Sequence, residues 1–160
     1  MTNEYDLDAP IINRGTAEHH CFGCGTLNDI GLQLQFRRSE SGVWADLQPD
    51  RWYEGYAGMI HGGVLSAMLD EAMSWAITAD GEFAVTGRLN TSFRSPALVG
   101  SLLRVEGRVV YRRRRVIGTE ATIVNVDDGR VVAESEGRFV RVAEEQAAAW
   151  ALAYLDNEPA

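Results

Sequence analysis

The chain has 160 residues, 46% of them hydrophobic and 24% charged, which suits one soluble domain and excludes a disordered polar chain. No apolar run approaches the roughly 20 residues of a membrane span, and MTNEYDLDAP lacks the basic and apolar stretches of a secretory leader, so cytoplasmic residence is expected. The net charge of −8 argues against a nucleic-acid partner. All fifteen basic residues are arginine, and eight of them fall between positions 88 and 115. Two readings of that segment stay open. It is a solvated strand face and turn, or it holds a small polyanion, since fields act locally within about 10 Å.

Residues 1–20 show no sustained periodicity and read as an N-terminal extension that wraps the surface. Cys21 and Cys24 follow in HHCFGCG. One C-x-x-C supplies two thiolates, and His19 or His20 would complete a zinc site, but a zinc ribbon brings a second cysteine pair that this chain lacks. A redox motif needs a following helix in a βαβ setting, whereas GTLNDIGL reads as turn then strand. A tight structural turn is the first reading, with a metal or redox site as the alternative.

Period-two alternation begins at Leu32 in LQLQFRRS, turns at Ser41-Gly42, and returns through VWADLQPD as a hairpin. A loop, RWYEGYAGMI, leads to His61. There the period becomes helical: Val64, Leu65, Met68, Leu69, Ala72, Met73 and Ala76 recur at three and four, predicting one helix over 61–79 that Asp80-Gly81 ends. AVTGRLNTSF predicts a strand with Val85, Leu89, Thr91 and Phe93 on one face and Thr86, Arg88, Asn90 and Ser92 on the other. SLLRVEGRVVYR and VIGTEATIVNV form the next pair. Asp127-Asp128-Gly129 then turns the chain into RVVAESEGRFVRV. AEEQAAAWALAYL, with acids in its first turn, predicts a terminal helix.

Two strands, one long helix and four strands make an α+β domain over 21–142, followed by a helix and tail over 143–160. An antiparallel sheet of about six strands needs cover on its apolar face, and one central helix supplies it. A curved sheet wrapped around such a helix is the hotdog architecture.

Gly62-Gly63 at a helix start leaves backbone N–H groups free and unobstructed, a place for an oxyanion. Asp70 lies on the same helix, in a row with Ser66 and Ser74 that is distinct from the apolar stripe. Taken alone, an aspartate there is a solvated helix face. Glu71 points about 100° away, so the two carboxylates are no obvious acid–base pair.

HGGVLSAMLDEAM resembles the helix motif of the PaaI-like acyl-CoA thioesterases of the hotdog superfamily, in which an acid follows the His-Gly-Gly histidine by nine positions. Here that acid is Asp70. VTGRLNTSFRSPALVG is similar to the family's third strand, with Thr86 at the place of the assisting hydroxyl. CFGCGTLNDIGL is similar to a subset with a cysteine-bearing turn before the first strand. The likeness covers about 21–142. One departure is Gly55, where some relatives carry an Asn or Gln that polarises the carbonyl.

The resemblance implies hydrolysis of an acyl-CoA thioester, with coenzyme A as part of the substrate and no separate cofactor or metal. Asp70 acts as base or nucleophile, Gly62 N–H holds the oxyanion with help from Gly63, Thr86 orients the acid, and His61 fixes the loop. Arg88, Arg94 and Arg112 are the expected phosphate contacts, and Trp52, Tyr53 and Met59 are expected to help build the acyl pocket. Gly62 and Asp70 stand about 12 Å apart on one helix. One carbonyl reaches both only across two chains, so a homodimer or dimer of dimers is expected. An acyl-CoA sensor and a hotdog hydratase or dehydratase are the competing functions.

Overall fold

The computed structural model describes residues 4–13 and 19–155. The rest of the N-terminal extension (1–3, 14–18) and the tail at 156–160 lie outside the described residues. Strands β1 (Arg37–Arg38), β2 (Val43–Leu47), β3 (Ala84–Phe93), β4 (Leu103–Arg113), β5 (Val116–Asn125) and β6 (Val131–Arg141) form one antiparallel sheet in the order β1-β2-β4-β5-β6-β3. Helix α1 (Gly62–Thr78) touches β2 to β6, and α2 (Glu144–Tyr154) closes the chain. No helix among the described residues is long and apolar enough to cross a membrane.

The apolar stripe on α1 is buried as its spacing predicts: Leu65, Met68, Leu69, Ala72 and Met73 are all at most 3% exposed. Each large side chain of this kind contributes about 1.5–3 kcal/mol on burial. The helix lies so close to β4 that a Cβ at Gly107 would sit 2.3 Å from the Ala72 carbonyl oxygen. Only glycine permits that approach.

Two strand expectations are corrected. The alternation from Leu32 marks burial rather than a long strand. Leu32, Leu34 and Phe36 point inward, but only residues 37–38 enter the sheet. The preceding backbone groups bond elsewhere: Leu32 and Leu34 N–H donate to Phe22 and Gly23 O, and Phe36 N–H donates to Asn13 Oδ1. Gln33, at φ 49°, breaks the extended run.

The second correction concerns β3. Its register against β6 shifts between Thr86 and Arg88, a bulge at Gly87. Thr86 therefore pairs with buried Phe139 and shares the helix-facing side with Leu89, Thr91 and Phe93, while Arg88 pairs with exposed Arg138 on the outer side. The unbroken alternation had put Thr86 beside Arg88.

Helix α2 has no buried residue. It rests on two aromatic contacts, Trp150 to Phe83 at 6.1 Å and Tyr154 to His19 at 5.0 Å between ring centroids.

Candidate active site

His61 is the N-cap of α1 rather than its first residue. Its ring Nδ1 accepts from the Gly63 N–H at 2.8 Å, and its own N–H donates to Tyr53 O at 2.8 Å. His61 is thus a loop-fixing residue. The cap also corrects the part expected of Gly63, whose N–H is already engaged. Among the described residues the Gly62 N–H has no acceptor, because the first residue of a helix lacks a partner four positions back.

That N–H opens onto a cavity of about 750 Å³, lined among others by Gly55, Tyr56, Met59, Phe93, Arg94 and Ser95. The Phe93 ring covers the glycine, and a Cβ on Gly62 would meet its Cζ at 3.4 Å. Gly55 contributes backbone only, since its N–H donates to Met59 O at 2.9 Å. Of the expected acyl-pocket residues, Met59 lines the cavity. Trp52 is instead 77% exposed under the Arg51 guanidinium. Tyr53 anchors the loop, its hydroxyl donating to Gly31 O at 2.7 Å.

Two turns along α1, half-buried Asp70 accepts a 2.7 Å hydrogen bond from Thr86 Oγ1. Burial pushes its carboxyl above the usual range, and the Thr86 bond pulls partly back. The Gly87 bulge makes this pair possible, because it turns Thr86 toward the helix. A glycine inside a strand pattern was the available signal for it.

The arginines divide. Arg94 lines the cavity beside Gly62, held by Glu134 at 3.1 Å with both side chains about half exposed. Arg88 lies on the outer sheet face and has no ion-pair partner among the described residues. Arg112 is engaged by Asp80 at 2.6 Å and by Glu82, at the far end of α1 from Gly62. Its charge is compensated there, so Arg112 does not join the site within one chain. Phe93 and the cavity-lining Ser95 were missed in the sequence, where nothing separates them from core or turn residues.

A thioesterase superfamily model matches residues 57–132. Acyl-coenzyme A thioesterase THEM5 of Mus musculus is 31% identical over 111 residues, covering 69% of this chain and 45% of that protein. The chain thus spans less than half the length of this curated relative. A phenylacetic acid degradation-related protein of Ralstonia eutropha JMP134 is 30% identical with a TM-score of 0.61, covering 69% of this chain and 86% of that one. A hypothetical thioesterase of Streptococcus pneumoniae TIGR4, solved with coenzyme A, superposes with a TM-score of 0.65 at 18% identity, covering 69% and 89%. That protein has also been solved with an aspartate, and separately a threonine sixteen positions later, replaced by alanine.

Proposed function

Because the chain belongs to the thioesterase superfamily, with PaaI-like hotdog architecture, we propose that it hydrolyses an acyl-CoA thioester to the free acid and coenzyme A. The observation that carries this reading is the Asp70–Thr86 bond at 2.7 Å, on the same helix whose first N–H is free. The Streptococcus variants have the same interval of sixteen between their altered aspartate and threonine.

In the proposed step the Asp70 carboxylate takes a proton from water as the water oxygen attacks the thioester carbonyl carbon. Alternatively it attacks that carbon itself, forming an anhydride that water then opens. Gly62 N–H stabilises the oxyanion, and the helix dipole adds to it. The tetrahedral species collapses by breaking the C–S bond, and the coenzyme A thiolate leaves and is reprotonated. Arg94, at the cavity, meets a coenzyme A phosphate. Arg88 is the second candidate for that contact.

The working unit is a homodimer. Two facts support it besides the separation of about 12 Å between Gly62 and Asp70. Strand β3 ends the sheet, bonded only to β6. Its helix-facing Thr86 and Phe93 are nonetheless exposed, Phe93 by 54%. Thr86 holds Asp70 and Phe93 covers Gly62. Antiparallel pairing of two β3 strands about a two-fold between Leu89 and Asn90 brings Thr86 of one chain beside Phe93 of the other. Asp70 then faces the second chain's Gly62, and one carbonyl reaches both.

The test measures free thiol released from a panel of short, long and aromatic acyl-CoAs by wild type, Asp70→Asn and Asp70→Ala. Release by wild type that falls at least a hundredfold in both variants supports the reading. Turnover unaffected by Asp70→Asn overturns the mechanism. Tight binding without turnover identifies an acyl-CoA sensor, and hydration of an enoyl chain without thiol release identifies a hydratase.

A further inference from the structure

A second cavity, of about 360 Å³, lies on the other side of Thr86. Cys21, Cys24 and Glu71 meet in its wall, and the hydrolytic reading uses none of them. We propose that these three side chains bind one zinc-class divalent cation, whose fourth coordination position opens into this cavity. The site stands independently of the hydrolytic reading.

The donor atoms, two thiol sulfurs and a carboxylate oxygen, lie within 4.8 Å of one another. Cys21 Sγ is 3.6 Å from each Glu71 oxygen. Tetrahedral zinc with Zn–S near 2.3 Å and Zn–O near 2.0–2.2 Å separates neighbouring ligands by about 3.5–3.8 Å, so the cluster needs little movement to close on a cation. Sulfur ligation favours zinc over magnesium or calcium.

The turn and a neighbouring indole hold the two sulfurs in place. In the Cys-Phe-Gly-Cys-Gly turn the Gly25 N–H closes the turn on Cys21 O at 2.8 Å. The buried Trp75 indole donates its Nε1–H to Cys24 Sγ at 3.4 Å. Such N–H donors orient metal thiolates and stabilise their charge.

The backbone is also cut to this arrangement. A Cβ at Gly23 would lie 2.4 Å from Glu71 Cδ, and one at Gly25 would lie 2.4 Å from Cys21 N. The glycines bring the turn onto α1, and a cation held by both would pin the N-terminal segment to the central helix. Ser74, Thr78 and Tyr154 are the polar residues beside Thr86 in the rest of the cavity wall, otherwise apolar, and the cavity has room for a water at the fourth position.

The experiment purifies the full chain under reducing conditions from zinc-supplemented medium and measures bound metal by plasma mass spectrometry. About one equivalent of zinc per chain is expected, falling below about a tenth in Cys21→Ser and weakening at least tenfold in Glu71→Gln. Because serine at buried Cys24 risks misfolding, a second readout uses wild type alone. Cobalt added to the reduced, metal-free protein should produce thiolate-to-cobalt absorption of the strength two thiolates give. Folded, reduced wild type that holds less than about a tenth of an equivalent and gives no such band overturns the site. Metal retained in Cys21→Ser/Cys24→Ser also overturns it, as does recovery of the two thiols as a disulfide that no metal displaces. None of these readouts depends on turnover.

Discussion

Thr86→Val removes one hydrogen bond from the proposed base and little else. Valine nearly matches threonine in volume and suits a strand, but Asp70 Oδ1 loses its 2.7 Å donor. A hydrogen bond to a charged group contributes about 1.5–3 kcal/mol. Asp70 is only half buried and Thr86 is exposed within one chain, so the lower end applies, reduced further by solvent screening. At about 1.4 kcal/mol per pKa unit, the carboxyl should rise by about one unit. The sign follows from the donor: Thr86 favours the ionised form, so its loss favours the protonated one. The acid limb of kcat/KM should therefore move to higher pH, starting from a carboxyl that burial already holds above its usual range. On the plateau, lost orientation should lower kcat/KM by about tenfold or less. The assay is a pH profile of kcat/KM on the best acyl-CoA. An acid limb that stays in place, or moves down, refutes the claim that Thr86 holds the base.

Asp70→Asn should cost about 10²–10⁴-fold in kcat while leaving Tm at neutral pH equal or higher. An aspartate whose folded pKa is raised destabilises the fold above that pKa, and the penalty fades as pH falls from there to the unfolded value, below which it is gone. Calorimetry across pH should show the gain vanish in acid. A mixed-subunit experiment tests the shared site. Gly62→Pro deletes the N–H at a position where a helix tolerates proline, and His61 is already extended at ψ 134° as proline requires. Asp70→Asn and Gly62→Pro should each be inactive alone, but random mixing should restore about a quarter of wild-type turnover. Half the dimers are then mixed, each with one intact site of two. Gly107→Ala should lower the unfolding free energy from denaturant titration by about 3 kcal/mol, because its Cβ would fall 2.3 Å from the Ala72 oxygen.

The elements with an unbroken period were legible in the sequence. The stripe at Leu65, Leu69, Ala72 and Met73 located α1 within a residue at each end, since a 17-residue helix against a sheet must bury one side. The resemblance of HGGVLSAMLDEAM to the PaaI-like helix motif singled out Asp70 as the candidate acid, where the helical wheel alone read a solvated face. Local insertions were not legible. The Gly87 bulge reverses the side Thr86 takes, and a strict period of two cannot express one extra residue. The alternation at 32–36 reported burial correctly and pairing wrongly, because Phe22, Gly23 and Asn13 supply partners that no local pattern announces. For the Cys21 turn the sequence offered only the adjacent His19 and His20 as further ligands. Its third ligand, Glu71, lies 50 residues away on a face the helical wheel had set aside.

Asp70 and Glu71 are neighbours in sequence, about 100° apart around α1, and what each meets gives it a different role. Burial raises both carboxyls. Asp70 then meets a hydroxyl donor, Thr86, on an edge strand. Glu71 meets the Cys21 sulfur and the Gly23 backbone of the glycine turn. This is the general case of paired carboxylates assigned by environment rather than by type. It predicts a double dissociation. Glu71→Gln should weaken cobalt–thiolate binding at least tenfold yet leave the acid limb of kcat/KM where it is, because desolvation and Thr86 set the Asp70 carboxyl. Asp70→Asn should abolish turnover yet keep the metal. A Glu71→Gln enzyme whose acid limb moves by a full unit would mean that the two carboxylates titrate as one site, and the division of roles along α1 would fail.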